Sequence, residues 1–191
     1  MLKWLIRRRL AAFEARYGYD MSYVRALLDT DLGAFRIYLA GAKLSRYRKD
    51  VPREAYYAAK LVGLTAEDCG PCTQLTVKMA IDDGVDPRQV RAVLEGTVAA
   101  MAPATLRGYQ LARAALAHAA EADALRDEVV AAWGPRALAA LAFALAAARF
   151  YPTVKYALGH GRACTRVEVA GAPVTPAGPA VGPAAVLRAL S

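Results

Sequence analysis

Histidine is nearly missing from this chain, with two in 191 residues, and cysteine is scarce, with three. His118 and His160 lie far from the one close cysteine pair, so a single chain does not gather the four tetrahedral ligands of a zinc site. Neither a metal nor a bound cofactor is expected. The odd cysteine count argues against the disulfide framework of a secreted domain. Alternating apolar and polar residues occur in one segment, Thr165-Arg166-Val167-Glu168-Val169, which allows one short strand at most and no real sheet. Long uncharged apolar runs are also lacking: the longest, 137–148, falls short of the roughly 20 residues a membrane span needs. The opening Met1-Leu2-Lys3-Trp4-Leu5-Ile6-Arg7-Arg8-Arg9 puts its basic cluster after a very short apolar stretch, the wrong order for a signal peptide. The expected location is the cytoplasm.

What the chain has in quantity is alanine within a 57% hydrophobic composition, and such a chain with few β-branched runs leans helical. The net charge of +8 is uneven: residues 1–60 hold 13 basic and 6 acidic side chains. A basic N-terminal third is most simply a solvated helical face, with weak binding to an anionic surface as its functional counterpart. No aromatic–basic motif of a nucleic-acid module accompanies it, so no nucleic-acid partner is expected. Three regions follow: a basic helical region at 1–50, a helical core at 51–160, and a partly mobile tail at 161–191. From Gly171 that tail is rich in Ala, Pro, Gly and Val and forms no core.

Punctuation divides the chain into helices. One spans 2–16 and stops before Tyr17-Gly18; Asp20 caps the next over 21–29; Thr30 or Asp31 opens a third to about Leu44. Another starts near Pro52, with Glu54 in its first turn, where a carboxylate suits the helix dipole. Asp68 is the preferred cap of the following helix, with Cys69 its first residue, Pro71 harmless in the first turn and Gly84 its end. Asp86-Pro87 restarts a helix that ends at Gly96, and Pro103 opens one to His118. A charged helix covers 121–133, an apolar one covers 136–150, and a short separate one follows Tyr151-Pro152 to Leu158. The fold class is all-α, a multi-helical bundle in one domain.

The chemistry sits at Cys69-Gly70-Pro71-Cys72. A helix N-terminus favours negative charge, which raises the thiolate content of a cysteine placed there. A second sulfur one turn on can close a disulfide with the first. Lys60 and Lys78 are nearby in sequence and can assist the thiolate. The same tetrad serves thioredoxin, but there it follows a buried strand in an α/β chain. Here Ala58 to Asp68 is a helix end with capping residues, and no strands surround it.

That placement resembles the AhpD-like branch of the carboxymuconolactone decarboxylase family, all-α proteins with Cys-x-x-Cys at a helix start. The resembling stretch is about 52–100, through Pro52-Arg53-Glu54, Glu67-Asp68-Cys69-Gly70-Pro71-Cys72-Thr73-Gln74-Leu75, Gly84-Val85-Asp86-Pro87 and Val93-Leu94. The resemblance implies an alkylhydroperoxidase-like enzyme. Its substrate would be a hydroperoxide or disulfide, its electron donor a dithiol carrier such as a lipoylated protein, and its assembly a homo-oligomer. In that branch the second cysteine attacks, helped by a Glu–His relay. Here Thr76 stands at the histidine position, and the glutamate position falls on Tyr57, one turn after Glu54 on the same face. The residues carried over are Cys69, Cys72 and Glu54. Glu67 and His118 are lesser alternatives as acid or base, and His160 rates below them in a Gly-His-Gly turn. Cys164 reads as an unpaired thiol, and Tyr56 and Tyr57 as core or interface aromatics. Two other functions stay open: lactone decarboxylation, which needs no cysteine pair, and a non-catalytic oligomeric or redox-sensing protein.

Overall fold

Ten consecutive residues of one helix, Ala55 to Leu64 of α4 (Arg53–Ala66), are buried, and the other elements are laid around it. The computed structural model describes residues 2–161 and 166–177. Cys164 and the tail from residue 178 lie outside them. Three N-terminal helices, α1 (Leu2–Tyr17), α2 (Ser22–Thr30) and α3 (Leu32–Ala40), lead through a 3-10 turn at Gly41–Arg46 to α4. After it come α5 (Gly70–Asp82), α6 (Pro87–Glu95), α7 (Pro103–Ala117), α8 (Ala122–Trp133) and α9 (Pro135–Ala157). The described residues are therefore all-α apart from one small hairpin.

The helix starts follow their capping chemistry. Asp31 accepts from the Ala34 amide at the head of α3, and Asp86 accepts from the Arg88 amide at 2.8 Å at the head of α6. Gly96 ends α6 in the left-handed conformation, φ 69°. α4 crosses its neighbours at small residues. A Cβ on Gly108 of α7 would lie 2.3 Å from the Ala55 carbonyl oxygen, and one on Gly63 would lie 2.8 Å from the Ala148 Cβ of α9. Backbone-to-backbone approach of this kind lets α4 be enclosed on several sides.

Two apolar clusters result. The larger joins α4 to α6, α7, α8 and the inner face of α9. The smaller joins Tyr19, Tyr23, Val24, Leu28, Phe35 and Tyr38 of the N-terminal helices to Leu64, Cys69, Cys72 and Ala148. The cysteine pair thus belongs to the core that the N-terminal helices complete.

Four sequence expectations need correction. α3 ends at Ala40 rather than near Leu44, the chain tightening into the 3-10 turn. Asp68 is not the cap of α5: it has φ 50°, its side chain caps nothing, and Cys69 takes the N-cap position instead. α4 runs on to Ala66, so the chain must reverse within Glu67 and Asp68, and aspartate tolerates the left-handed conformation that this demands. Pro152 does not divide α9, which is continuous over 23 residues. An interior proline costs about 3 kcal/mol, but Ala147, Ala148, Pro152 and Lys155 are all buried, and their packing holds the turn. By length and composition alone α9 is the one helix among the described residues long enough to cross a membrane, although its alanine face packs against α4 and α8. Finally, two strands form rather than one. β1 (Val167–Val169) pairs antiparallel with β2 (Ala172–Val174), so the ordered chain extends past Gly171. Gln74 of α5 clamps this hairpin by exchanging two hydrogen bonds with the Glu168 backbone, at 2.6 and 3.1 Å. The Arg91 guanidinium donates to the carbonyls of Ala172 and Pro173.

Candidate functional site

Cys69 and Cys72 are both free thiols, and both are buried, at 3% and 5% exposure. Cys69 sits at the N-cap of α5, so its sulfur faces the positive end of the helix dipole and the first-turn Cys72 amide. Its carbonyl accepts from the Thr73 amide at 2.9 Å and the Thr73 hydroxyl at 3.0 Å, which fixes this turn. Pro71, in the first turn, breaks no helical hydrogen bond.

The two thiols are driven apart. Cys69 is lowered from 9.0 to about 7, chiefly because the Cys72 thiol hydrogen-bonds to it; the Cys72 amide and the Lys155 cation add to this against the cost of burial. Cys72 is pushed well up, first by that same bond to Cys69, then by burial and the nearby charge on Cys69. Interacting thiols titrate as a pair, and the first proton of this pair leaves from Cys69.

Lys155, in the last turn of α9, is 3% exposed. Its ammonium lies 5.3 Å from the Tyr19 ring centroid and 5.7 Å from that of Tyr23. Among the described residues no carboxylate pairs with it within salt-bridge distance. It lowers both thiols through space, so it and the Cys69 thiolate balance each other's charge.

A file of phenols leads away from the pair. Tyr19 Oη lies 3.4 Å from Cys72 Sγ and 3.3 Å from Tyr23 Oη, which lies 2.6 Å from Tyr38 Oη. Burial raises all three phenols above their usual 10.0, so they stay protonated hydrogen-bonding groups at neutral pH. The His160 ring stands 6.0 Å from that of Tyr23, at the rim of this file.

Glu54 is not brought to the cysteines. It stands in the first turn of α4, and the cysteines follow the last; twelve residues of helix separate those ends by roughly 18 Å. α5 then runs back beside α4, so that Arg53 donates to the Asp83 carbonyl beyond the far end of α5. Thr76 is buried one turn beyond Cys72. Lys78 donates to the Tyr17 carbonyl at 2.6 Å. Lys60 is buried and lowered to about 8, first by desolvation and then by Arg48. Neither lysine is the cation at the thiols. Glu67 is paired with Arg149 at 2.6 Å, and His118 is an exposed residue ending α7. Tyr56 and Tyr57 are core residues with rings 5.3 Å apart.

Among the described residues no three of His, Cys, Asp and Glu converge as a metal-ligand set. An open depression of about 510 Å³ between α7 and α8 is lined by Tyr109, Arg113, Leu125 and Glu128, and no member of the thiol site reaches it. Tyr19 and Lys155 were out of reach of local sequence reading, because they come from loops and helices far from the tetrad. The one available signal was an unusual density of tyrosine between residues 17 and 57. No protein-family model matches this chain, and no curated protein or solved structure matches it.

Proposed function

We propose that the chain is a thiol–disulfide oxidoreductase in which Cys69 attacks and Cys72 resolves. One observation carries this: at the head of α5 the Cys69 thiol is lowered while its neighbour is raised, beside a buried lysine. Such separation of paired titratable groups assigns nucleophile and partner. The AhpD-like resemblance supplies the substrate class, a hydroperoxide or a disulfide, and the dithiol donor, for which a lipoylated protein is the type. The order of attack departs from that branch, where the second cysteine goes first and a Glu–His relay assists it.

With a hydroperoxide, the Cys69 thiolate attacks the terminal oxygen, the O–O bond breaks, and an alcohol leaves with a proton. Cys69 is then a sulfenic acid. The Cys72 sulfur then attacks the Cys69 sulfur as its proton passes to the departing hydroxyl; the S–S bond forms, the S–O bond breaks and water leaves. With a disulfide substrate, Cys69 first forms a mixed disulfide and Cys72 displaces the second thiol. The dithiol donor reopens the bond and is itself oxidised. Tyr19 is the group placed to hold Cys72 as it loses its proton, since its hydroxyl is 3.4 Å away and its hydrogen bond lowers that thiol. A homo-oligomer belongs to the same reading; Phe143 of α9 and Val130 of α8 are exposed apolar residues available to it.

The test is trapping by mass spectrometry in a Cys164→Ser background, with cumene hydroperoxide and a small aromatic disulfide as substrates. Wild type should lose two protons and regain them with dihydrolipoamide. Cys72→Ser should accumulate a sulfenic acid or mixed disulfide on Cys69, and Cys69→Ser should accumulate neither. Thiols that stay reduced with both substrates would sink the proposal and leave the tetrad a packing feature.

A further inference from the structure

α1 buries only Leu10, while Leu2, Trp4 and Leu5 are 52%, 60% and 50% exposed. Helical steps of 100° put Trp4, Leu5, Arg8, Ala11, Ala12 and Ala15 on the side away from Leu10, and all six are exposed. Arg7 borders this face on one side and Arg9 and Arg16 on the other, while Lys3 lies on the Leu10 side of the helix and Leu2 beyond Arg9. Glu14 is the helix's one carboxylate, and Arg25 holds it at 2.7 Å. Arg7 and Arg16 are paired with Asp29 and Asp82. Lys3, Arg8 and Arg9 enter no ion pair among the described residues, and the Arg8 guanidinium stands 5.7 Å from the Trp4 ring centroid.

We propose that this face of α1 docks on an anionic lipid bilayer, with Trp4 and Leu5 entering the acyl boundary and Arg8 and Arg9 meeting the headgroup phosphates. An exposed tryptophan and leucine on one face, flanked by cations without ion-pair partners among the described residues, are elements of an interfacial helix. A nucleic-acid backbone has no use for the apolar pair, and a second copy of the same face would oppose like charges. The proposal is independent of the thiol chemistry.

The experiment is vesicle flotation of the full chain with vesicles of phosphatidylcholine alone or mixed equally with phosphatidylglycerol, in low and high salt. In parallel, a Trp133→Phe variant leaves Trp4 as the sole emitter. Flotation with the anionic vesicles only, lost in high salt, with a blue shift of Trp4 emission, is the expected result. Basic residues near an anionic surface each contribute about fivefold, so the double variant R8Q/R9Q should bind about 25-fold more weakly. Any of four results overturns the proposal: no flotation in low salt, flotation with unshifted Trp4 emission, undiminished binding by the double variant, or tighter binding to a duplex oligonucleotide than to vesicles.

Discussion

Removing the Cys72 thiol tests the electrostatics of the pair directly. The largest influence holding Cys69 near 7 is the hydrogen bond from Cys72, so Cys72→Ala should send the Cys69 midpoint back toward 9.0. Two pH units correspond to about 3 kcal/mol of lost thiolate stabilisation. At pH 7 the thiolate fraction would fall from about one half to about one in a hundred, but a more basic thiolate is also a better nucleophile by roughly eightfold over that range. The net loss of reactivity at pH 7 is therefore only about sixfold, and the midpoint is the more sensitive readout. Thiolate absorbance at 240 nm, in a Cys164→Ser background, reads the midpoint without requiring a reagent to reach a buried sulfur. Cys72→Ser restores a donor and should keep the midpoint near its original value. A wild-type midpoint above 8.5, or one that Cys72→Ala leaves in place, would refute the reasoning.

Tyr19→Phe removes the hydroxyl shared by Cys72 and Tyr23; it should cost about 1–2 kcal/mol in urea unfolding and slow disulfide closure more than the first attack, in single-turnover kinetics. Glu54→Gln should leave the 240 nm midpoint where it is, and a shift would restore that carboxylate to the site. Lys60 folds with its value lowered from 10.5 to about 8 by burial, so the unfolded chain holds more protons between those values and stability rises with pH across them. The penalty is complete below about 8 and on the order of 3 kcal/mol; Lys60→Met should remove this contribution and flatten the rise above pH 9, while the lowered Cys69 thiol still lifts stability between about 7 and 9, as read by urea melts from pH 7 to 10.5. Gly108→Ala forces a methyl against the Ala55 carbonyl and should cost about 1–3 kcal/mol or more, and an unchanged urea midpoint would deny that α4 and α7 cross this closely.

Local chemistry made most of the helices legible. Asp31, Asp86, Gly96 and Pro103 act on their own turns, and each marks a boundary where the residues themselves require one. Expectations failed where distant packing decides. Pro152 should end a helix on propensity, yet the buried residues around it keep α9 whole. The hairpin over 167–174 is too short to announce itself, and its register is held from outside by Gln74 and Arg91. The tetrad was visible as Cys-Gly-Pro-Cys. Its polar surroundings were not, because Tyr19 lies 53 positions before Cys72, and Lys155 reaches the thiols only once α9 runs unbroken through Pro152. The glutamate expected one helix turn off its register stands at the wrong end of α4 for the same reason: periodicity gives a face of a helix but not which end meets a partner.

The buried ammonium of Lys155 also carries an electrochemical consequence. While Cys69 is a thiolate, its charge and the Lys155 cation offset each other. If the proposed disulfide closed, that anion would be lost and the cation, 3% exposed, would keep only the through-space partner Asp20. Under the proposed function, an oxidised form would then bear more of the lysine's desolvation cost than the thiolate form, which would displace the couple toward the oxidising end of the dithiol scale. A pair poised in this way would give up its oxidising equivalents readily to a dithiol, so the proposed reset would be the downhill step.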